Sequence, residues 1–489
     1  MASQPQASDL SGHTAADRPG SGDPSRSLVI ASNRLPFQFR RGPGGLERKV
    51  SPGGLVSALD PVLRKRGGSW VGWPGPEAEP GDALGAAGDA YEIVPVPLGE
   101  DEIAHYYDGF SNGALWPLFH SFSDRATFEP RDFEVYREVN ARFAEALLSP
   151  TGTGELVWVH DYHLMLTPGL LRAARPELRI LFFLHVPFPS YDLFTLLPGH
   201  EEILRGVLGS DLIGFHIPAY AQNFLDCAER CLGARIDPSR TVIEFEGRHI
   251  GVGAFPIGIG WSEFEACALR SPETSCPRAE RLLIGADRLD YTKGIPHRIL
   301  AIERLLELHP EWHERVTLLQ IAVPSRSEVP EYRALKCEID EQVGRVNGRF
   351  ATATWSPIHY LYRSFDRDPL AALYRDADVA LVTPLRDGMN LVAKEYAACQ
   401  VADPGVLVLS RHAGAANDMP EALLVNPYDL DETAGAIHRA LGMPAHERRA
   451  RMDALRHREA GSDVHAWVDS LLRAATPGKG GEPPLPVWR

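Results

Sequence analysis

No apolar run in this chain approaches the roughly 18 residues that a membrane-spanning helix needs. The first 26 residues are rich in Ser, Pro, Gly, Ala and Asp and contain no apolar segment of the secretory kind. Neither a helical membrane span nor a secretory leader is expected, and residues 1–26 are expected to form a disordered tail. Cysteine is also scarce: Cys227, Cys231, Cys267, Cys276, Cys337 and Cys399 are the only six in 489 residues, without the paired spacing of a metal site. That sparseness suits a reducing compartment, so the cytoplasm is the expected location. Positive charge is in deficit, with 50 Lys and Arg against 65 Asp and Glu, a net charge of −15. Non-specific binding to nucleic acid or to an anionic membrane is therefore not expected, and a phosphate ligand must be held by locally placed Arg and Lys. What remains is an ordinary soluble composition, 44% hydrophobic and 24% charged, on a chain too long for one core, so two domains are expected.

The richest stretch is Thr383-Pro384-Leu385-Arg386-Asp387-Gly388-Met389-Asn390-Leu391-Val392-Ala393-Lys394-Glu395-Tyr396. It follows the strand-like run Asp378-Val379-Ala380-Leu381-Val382 and enters a run of good helix formers, which predicts strand, tight turn and helix. Gly388 permits the turn, and the first N–H groups of the helix, with no intrahelical partners, make an anion site suited to a phosphate or diphosphate. Asp387 and Glu395 flank it. A carboxylate beside a diphosphate is repelled unless it meets hydroxyls, so sugar hydroxyls are the expected partners of both. A helix N-cap Asp followed by a surface Glu fits the same stretch.

Taken in order, the chain repeats one theme. Leu28-Val29-Ile30-Ala31-Ser32 is a buried strand ending at Asn33-Arg34, and an Arg there points into the crevice where open α/β sheets bind ligands. Ser51-Pro52-Gly53-Gly54-Leu55 is a second glycine turn opening a helix, and a plain loop fits it equally. Residues 105–120 are dense in aromatics that serve either as core or as flat walls for sugars. Leu156-Val157-Trp158-Val159-His160-Asp161-Tyr162-His163 is a strand ending in ionisable groups. His160 and His163 lack a third nearby ligand for a metal, and Asp161 accepting sugar hydroxyls is the better reading. Ile180-Leu181-Phe182-Phe183-Leu184-His185 delivers His185 in the same way, and strands follow at 211–215 and 251–259. The second half restarts with a strand at 281–286 leading to Arg288 and Lys293, whose planar fork and point charge could clamp a diphosphate, although a solvated basic loop also fits. Further strands are expected at 316–323, 378–382, 405–409 and 422–425, with helices at 296–308, 328–347 and 391–400. An amphipathic helix over 463–475 presents Val464, Trp467, Val468, Leu471 and Leu472. Alternating βα units in both halves predict an α/β protein of two doubly wound, Rossmann-like domains with parallel sheets facing across a cleft.

From Leu28 to Trp467 the chain resembles the trehalose-6-phosphate synthases, retaining glycosyltransferases of family 20 with the GT-B fold. The likeness is carried, in order, by Ser32-Asn33-Arg34, Gly53-Gly54, Leu115-Trp116-Pro117, His160-Asp161-Tyr162-His163, Phe183-Leu184-His185-Val186-Pro187-Phe188-Pro189, Asp287-Arg288-Leu289-Asp290-Tyr291-Thr292-Lys293-Gly294 and Leu385 to Tyr396. The resemblance implies that Arg34, Tyr107 and Arg326 hold the 6-phosphate of an acceptor glucose, with Asp161 on its hydroxyls and Trp116 shaping the pocket. It implies that Gly53, Gly54, Arg288, Lys293 and the run Gly388, Met389, Asn390, Leu391, Val392, Ala393 and Lys394 meet the donor. Asp387 would take the donor glucose hydroxyls, Glu395 the ribose and Phe365 the base, with His185 beside the transferred glucose. The resemblance implies that Asp161, His185, Arg288, Lys293 and Asp387 form the catalytic set, with no metal and no cofactor.

The domains this implies are an acceptor-binding domain over 27–257, a nucleotide-sugar-binding domain over 258–462, a helix over 463–475 packing back on the first domain, and a loose tail over 476–489. The partners are small molecules, a nucleotide diphosphate glucose and glucose 6-phosphate, in a homo-oligomer (tetramer or dimer). The implied reaction joins glucose to glucose 6-phosphate with retention. A pseudo-glycosyltransferase coupling cyclitols is a rival, as is a non-catalytic sugar-phosphate sensor; the first conflicts with the intact Asp387-Gly388-Met389-Asn390 run, the second with the presence of Arg34, Asp161, Arg288, Lys293 and Glu395.

Overall fold

The computed structural model describes residues 28–42, 45–50, 54–78, 90–152, 155–272, 279–326 and 329–476. The expected tails therefore lie outside it apart from Thr476, as does Gly53. Long runs of Val, Ile, Leu and Phe form strands buried on both faces, as in Leu28–Arg34, where six of seven residues are buried. Such runs do not alternate because helices cover both sides of a parallel sheet.

Two parallel sheets result. The nine-stranded sheet takes the order Glu92–Pro95, Gly68–Trp73, Leu28–Arg34, Leu156–His160, Arg179–Phe183, Leu212–Phe215 and Arg248–Ala254, all parallel, with Val242–Phe245 and Arg235–Ile236 added antiparallel at one edge. The six-stranded sheet takes the order Ile358–Tyr362, Val316–Val323, Arg281–Arg288, Val379–Val382, Val406–Ser410 and Leu423–Val425, all parallel. In chain sequence the second sheet runs third, second, first, fourth, fifth, sixth, the doubly wound order that reverses between its first and fourth strands. The first sheet reverses likewise, between Leu28–Arg34 and Leu156–His160. Each reversal opens a crevice at the carboxyl ends of two strands, and the first is flanked by Arg34 and Asp161, the second by Arg288 and the turn after Val382.

Three features depart from the sequence reading. The strand expected at 251–259 begins at Arg248 and ends at Ala254, because Glu246 and Gly247 (φ 48° and 76°) make a tight hairpin to Val242–Phe245. A Glu in a left-handed turn position gives no sequence signal of the Asn-Gly kind. A second hairpin, Phe37–Gly42 with Gly45–Val50, stands apart from both sheets. The aromatic patch is a wide π-helical turn over Ile103–Leu115 that continues into Trp116–Phe119.

The helix Val464–Ala474 is capped by Asp463, which accepts from Ala466 N at 2.8 Å. It lies on the first sheet: the Trp467 ring is 5.3 Å from that of Trp158, edge-on to Phe183 at 5.1 Å, and its Nε1 donates to Phe255 O at 3.1 Å. No helix among the described residues is long and apolar enough to cross a membrane.

Candidate active site

The two crevices face one another and merge into a cavity of about 380 Å³. Its wall includes Arg34, Tyr107, Trp116, Asp161 and His185 from the first sheet's side and Arg288, Lys293, Arg326, Asp387 and Gly388 from the second's. These ten were singled out in the sequence, from positions up to 354 residues apart, and the fold brings them to one space. Gly388 shows how closely the halves meet, since a Cβ there would lie 2.3 Å from the carbonyl oxygen of His185. Tyr220 donates across the same junction to Asp387 O at 3.1 Å.

On the first side, Arg34 spreads over the rings of Trp73 and Tyr107, at 4.7 and 5.2 Å. Arg326 reaches in from the second half, its guanidinium 4.6 Å from the Trp116 ring. Burial pushes the Tyr107 phenol up, but the positive charges of Arg34 and Arg326 outweigh it and hold the phenol below its ordinary range. Two guanidinium groups bracketing one phenol form a cationic nest suited to a phosphate dianion. His163 is neutral, driven far below the usual histidine range by burial and then by the Arg326 and Arg34 charges, and stacks on Tyr107 at 5.9 Å. His160 turns the other way, to His185, so these two histidines do not converge on a common ion.

Asp161 sits at φ 74° and ψ 171°, a backbone region that side chains rarely tolerate and that clusters at functional sites. Its N–H donates to Phe183 O at 2.8 Å and its Oδ1 accepts from His185 N at 3.2 Å, which fix it between two strand ends. Burial raises its carboxyl to about 6, against the opposing N–H groups of Tyr162 and His185 and the charge of Arg288.

The second side is built on backbone and one ion pair. Lys293 Nζ lies 2.5 Å from Asp387 Oδ2, and Asn390 Nδ2 donates to the same oxygen at 3.0 Å. Burial pushes the Asp387 carboxyl up, yet Lys293 outweighs it and keeps the group below the ordinary carboxylate range. Asn390 precedes the helix Leu391–Cys399 in the left-handed region (φ 71°) and makes no side-chain cap, so the first-turn N–H groups are left to a ligand. The buried Arg298 braces this crevice through Asp287 Oδ2 (2.7 Å), Gln320 Oε1 (3.0 Å) and Thr383 Oγ1 (3.1 Å). Asp290 joins the two sides: its Oδ1 accepts from Thr292 N and Oγ1, while its Oδ2 accepts from Tyr332 Oη at 3.2 Å and lies 3.5 Å from Arg326. Sequence reasoning did not single out Arg298 or Tyr332, which fall within the helices expected at 296–308 and 328–347, because their partners lie on other elements.

Several expected donor residues lie elsewhere. The Lys394 side chain is a correction: it is buried, with Nζ 2.9 Å from Glu459 and 3.5 Å from Asp418, because its place on the helix turns it toward the helix Ala445–Ala460. Met389 and Ala393 are buried in the core and can offer a ligand only backbone. Gly54 begins the helix Gly54–Arg66, whose Leu55 and Val56 line the cavity. Glu395 and Phe365 are outside that lining. Glu395 is partly exposed, with Tyr374 Oη at 3.5 Å, and burial raises its carboxyl to about 7. Phe365 is also partly exposed, with the Arg363 guanidinium 4.5 Å from its ring.

Among the described residues, one trio of ligating side chains lies close together, His309, Glu311 and His438, and it is not part of this cavity. The two imidazoles stack 3.7 Å apart and 7° from parallel, so an ion cannot lie in both ring planes, and His438 Nδ1 already accepts from Trp312 Nε1.

Known proteins are similar to this one over nearly the whole chain. The trehalose-6-phosphate synthase of Mycobacterium sp. (strain JLS) is 43% identical over 473 residues, which cover 94% of this chain and 97% of that one. An E. coli trehalose-6-phosphate structure bound with UDP-2-fluoro glucose superposes with a TM-score of 0.85 at 35% identity, over 92% of this chain and 98% of its own. The UDP-forming α,α-trehalose-phosphate synthase of Burkholderia xenovorans in complex with glucose-6-phosphate does so with a TM-score of 0.83 at 37% identity, over 92% and 99%. The family model for glycosyltransferase family 20 matches residues 26–476, spanning both sheets and the returning C-terminal helix, and the chain belongs to that family.

Proposed function

We propose that this chain transfers glucose, with retention, from a nucleotide diphosphate glucose to the anomeric hydroxyl of glucose 6-phosphate, forming α,α-trehalose 6-phosphate. The observation that carries this reading is one cavity lined by four cations, Arg34, Arg326, Arg288 and Lys293, with the carboxylates of Asp161 and Asp387 on its wall. Two anionic substrates with hydroxyl-rich sugars fit that pattern, and the relatives bound to UDP-2-fluoro glucose and to glucose-6-phosphate support it.

In this reading the domain over 27–257 binds the acceptor, with Arg326 reaching in from the other domain. Arg34, Tyr107 and Arg326 hold the 6-phosphate, Asp161 accepts from the acceptor's hydroxyls and Trp116 forms its wall. The domain over 258–462 binds the donor. Arg288, Lys293, the glycine turn at Gly53 and Gly54 and the backbone of Leu391 and Val392 meet the diphosphate, Asp387 takes the donor glucose, Glu395 the ribose and Phe365 the base. His185 stands by the transferred glucose. The five described cysteines are unpaired, which supports a cytoplasmic location.

A double displacement requires a free carboxylate under the anomeric carbon and an acid about 5 Å away. Asp387 is tied to Lys293 and Asn390, and Asp161 to the His185 N–H. Attack on the front face fits better: the bond from the anomeric carbon to the leaving phosphate breaks, the bond to the acceptor oxygen forms on the same face, and the leaving phosphate takes the acceptor's proton. Catalysis is then positioning, with Arg288, Lys293 and the helix start stabilising negative charge that grows on the diphosphate.

The test is an assay with UDP-, GDP- and ADP-glucose, each with glucose 6-phosphate, following nucleoside diphosphate release and the anomeric signals of the product. Release that depends on glucose 6-phosphate, with a doubly α-linked product, is expected for at least one donor. No acceptor-dependent release from any of the three would overturn the reading.

A further inference from the structure

One side chain in the cavity wall has chemistry that the proposed reaction leaves unused. His160 ends the strand Leu156–His160 and is fully buried, with its ring 4.8 Å from that of Trp158. Its Nδ1 lies 3.1 Å from His185 Nε2, whereas its own Nε2 is buried and meets no hydrogen-bonding group of the protein. Burial holds both imidazoles far below the usual histidine range, helped at His160 by His185 and at His185 by His216, so both rings are neutral at neutral pH.

A neutral imidazole carries a single ring hydrogen, so the contact admits two arrangements. In one, His185 donates from Nε2, and the only hydrogen of His160 must then sit on its own Nε2 as a buried N–H with nothing to bond. In the other, His160 donates from Nδ1, and its Nε2 is left with a bare lone pair. Orphaned buried N–H groups are rare, and an unused acceptor is the better tolerated of the two. We infer that His160 is a positioning residue that locks His185 in the Nδ1–H tautomer by donating from its own Nδ1 to His185 Nε2.

The consequence falls on the substrate. His185 is partly exposed on the cavity wall, and in this tautomer the nitrogen left to it, Nδ1, can only donate. That suits a sugar hydroxyl oxygen, which accepts, and disfavours an ammonium in the same place, which would set N–H against N–H. A sugar with a hydroxyl beside His185 is selected over its amino analogue without any charged group being spent on the choice. What His185 touches rests on the proposed glucosyl transfer, but its tautomer is a property of the protein without ligand, and the two can fail separately.

Neutron diffraction from deuterium-exchanged crystals of the unliganded full chain reads the tautomers directly. Deuterons are expected on Nδ1 of His160 and on Nδ1 of His185, with none on His185 Nε2; a deuteron on His185 Nε2 facing His160 overturns the inference. Activity gives a second measurement. The amide nitrogen of His160→Asn stands where Nδ1 stands and can still donate, whereas His160→Leu cannot. The Leu variant is expected to lose about tenfold in kcat/KM for the donor, the scale of one hydrogen bond, while the Asn variant stays within about threefold of the parent. Equal losses in both variants, or none in the Leu variant, would count against a donor role. If the Leu variant does not fold, the deuteron positions decide. Deuterons as expected on a protein that transfers no glucose would remove the proposed function and leave this inference standing.

Discussion

The two crevices are built on one strand order and handle negative charge in different ways. On the first sheet's side the cations are guanidinium groups laid on aromatic rings, Arg34 on Trp73 and Tyr107 and Arg326 on Trp116. On the second side the anion devices are an uncapped helix start, a lysine already held by a carboxylate, Lys293 on Asp387, and one guanidinium, Arg288, 5.6 Å from the same Trp116 ring. A guanidinium fork recognises a terminal phosphate through paired hydrogen bonds and keeps its charge at any working pH. A helix N-terminus and a point charge follow a diphosphate along its length and respond as its charge grows. In the proposed reaction, similar topology would serve two tasks: one crevice would grip a phosphate that does not react, and the other would stabilise a phosphate that leaves.

That division predicts different kinetic signatures for cations on the two sides. Arg288→Ala and Lys293→Ala should have the largest effect, a fall in kcat of about 10² or more, the scale of losing a preorganised donor to developing charge. Steady-state kinetics checks this; a near-normal kcat with only a raised donor KM would make the second crevice a grip like the first.

Arg34→Ala and Arg326→Ala should instead weaken glucose 6-phosphate by about ten- to a hundredfold, the worth of a charge-assisted hydrogen bond, and barely change the donor KM. Their preference for glucose 6-phosphate over glucose should fall by the same factor. Arg326 also touches the Asp290 carboxylate that caps the Lys293 turn, so its loss should disturb the donor more than the loss of Arg34 does. Equal donor effects in the two variants would deny that link.

The smallest expected effect is a pH dependence confined to the donor side. Burial raises the Glu395 carboxyl to about 7, with the Arg367 charge and the Tyr374 hydroxyl opposing. In the proposed reaction two ribose hydroxyls would need the ionised form as acceptor, so donor affinity should be full above pH 7 and decline as the pH falls through it. At one unit below its pKa about a tenth of the group is ionised, which caps the loss near tenfold. Calorimetric titration of the donor analogue at pH 6 and pH 8 measures this, and Glu395→Gln should flatten the difference while binding more weakly at pH 8. An unchanged pH dependence in the Gln variant would assign the titration elsewhere. Asp161, raised to about 6, titrates on the acceptor side and should not enter a donor-only titration.

Much of this was legible in the chain itself, for local reasons. Apolar runs of strand length, broken by helix formers, report parallel sheets covered on both faces, because burial on both sides removes the polar alternation. Polar residues at the ends of those runs, Arg34, Asp161, His185, Arg288 and Asp387, stand where strands deliver them to a crevice, and topology alone makes that their common destination. The hairpin at Val242–Ala254 escaped because its turn puts a Glu, not an Asn or Asp, in the left-handed position before Gly247.

What the sequence could not decide is which way a side chain turns once its element is packed. Lys394 and Glu395 are neighbours on one helix, yet about 100° of helical rotation sends the first into a buried ion pair with Glu459 and leaves the second partly open. His160 and His163 look like a pair in the sequence, but one meets His185 and the other stacks on Tyr107. The sequence by itself determined the two doubly wound domains and the polar residues delivered to their cleft, since strand periodicity and the alternation of strands with helices set these. Only the tertiary structure decided the partners of Lys293, Arg326 and His160, because each is met by a group 25 or more residues away whose position depends on the packing of the whole.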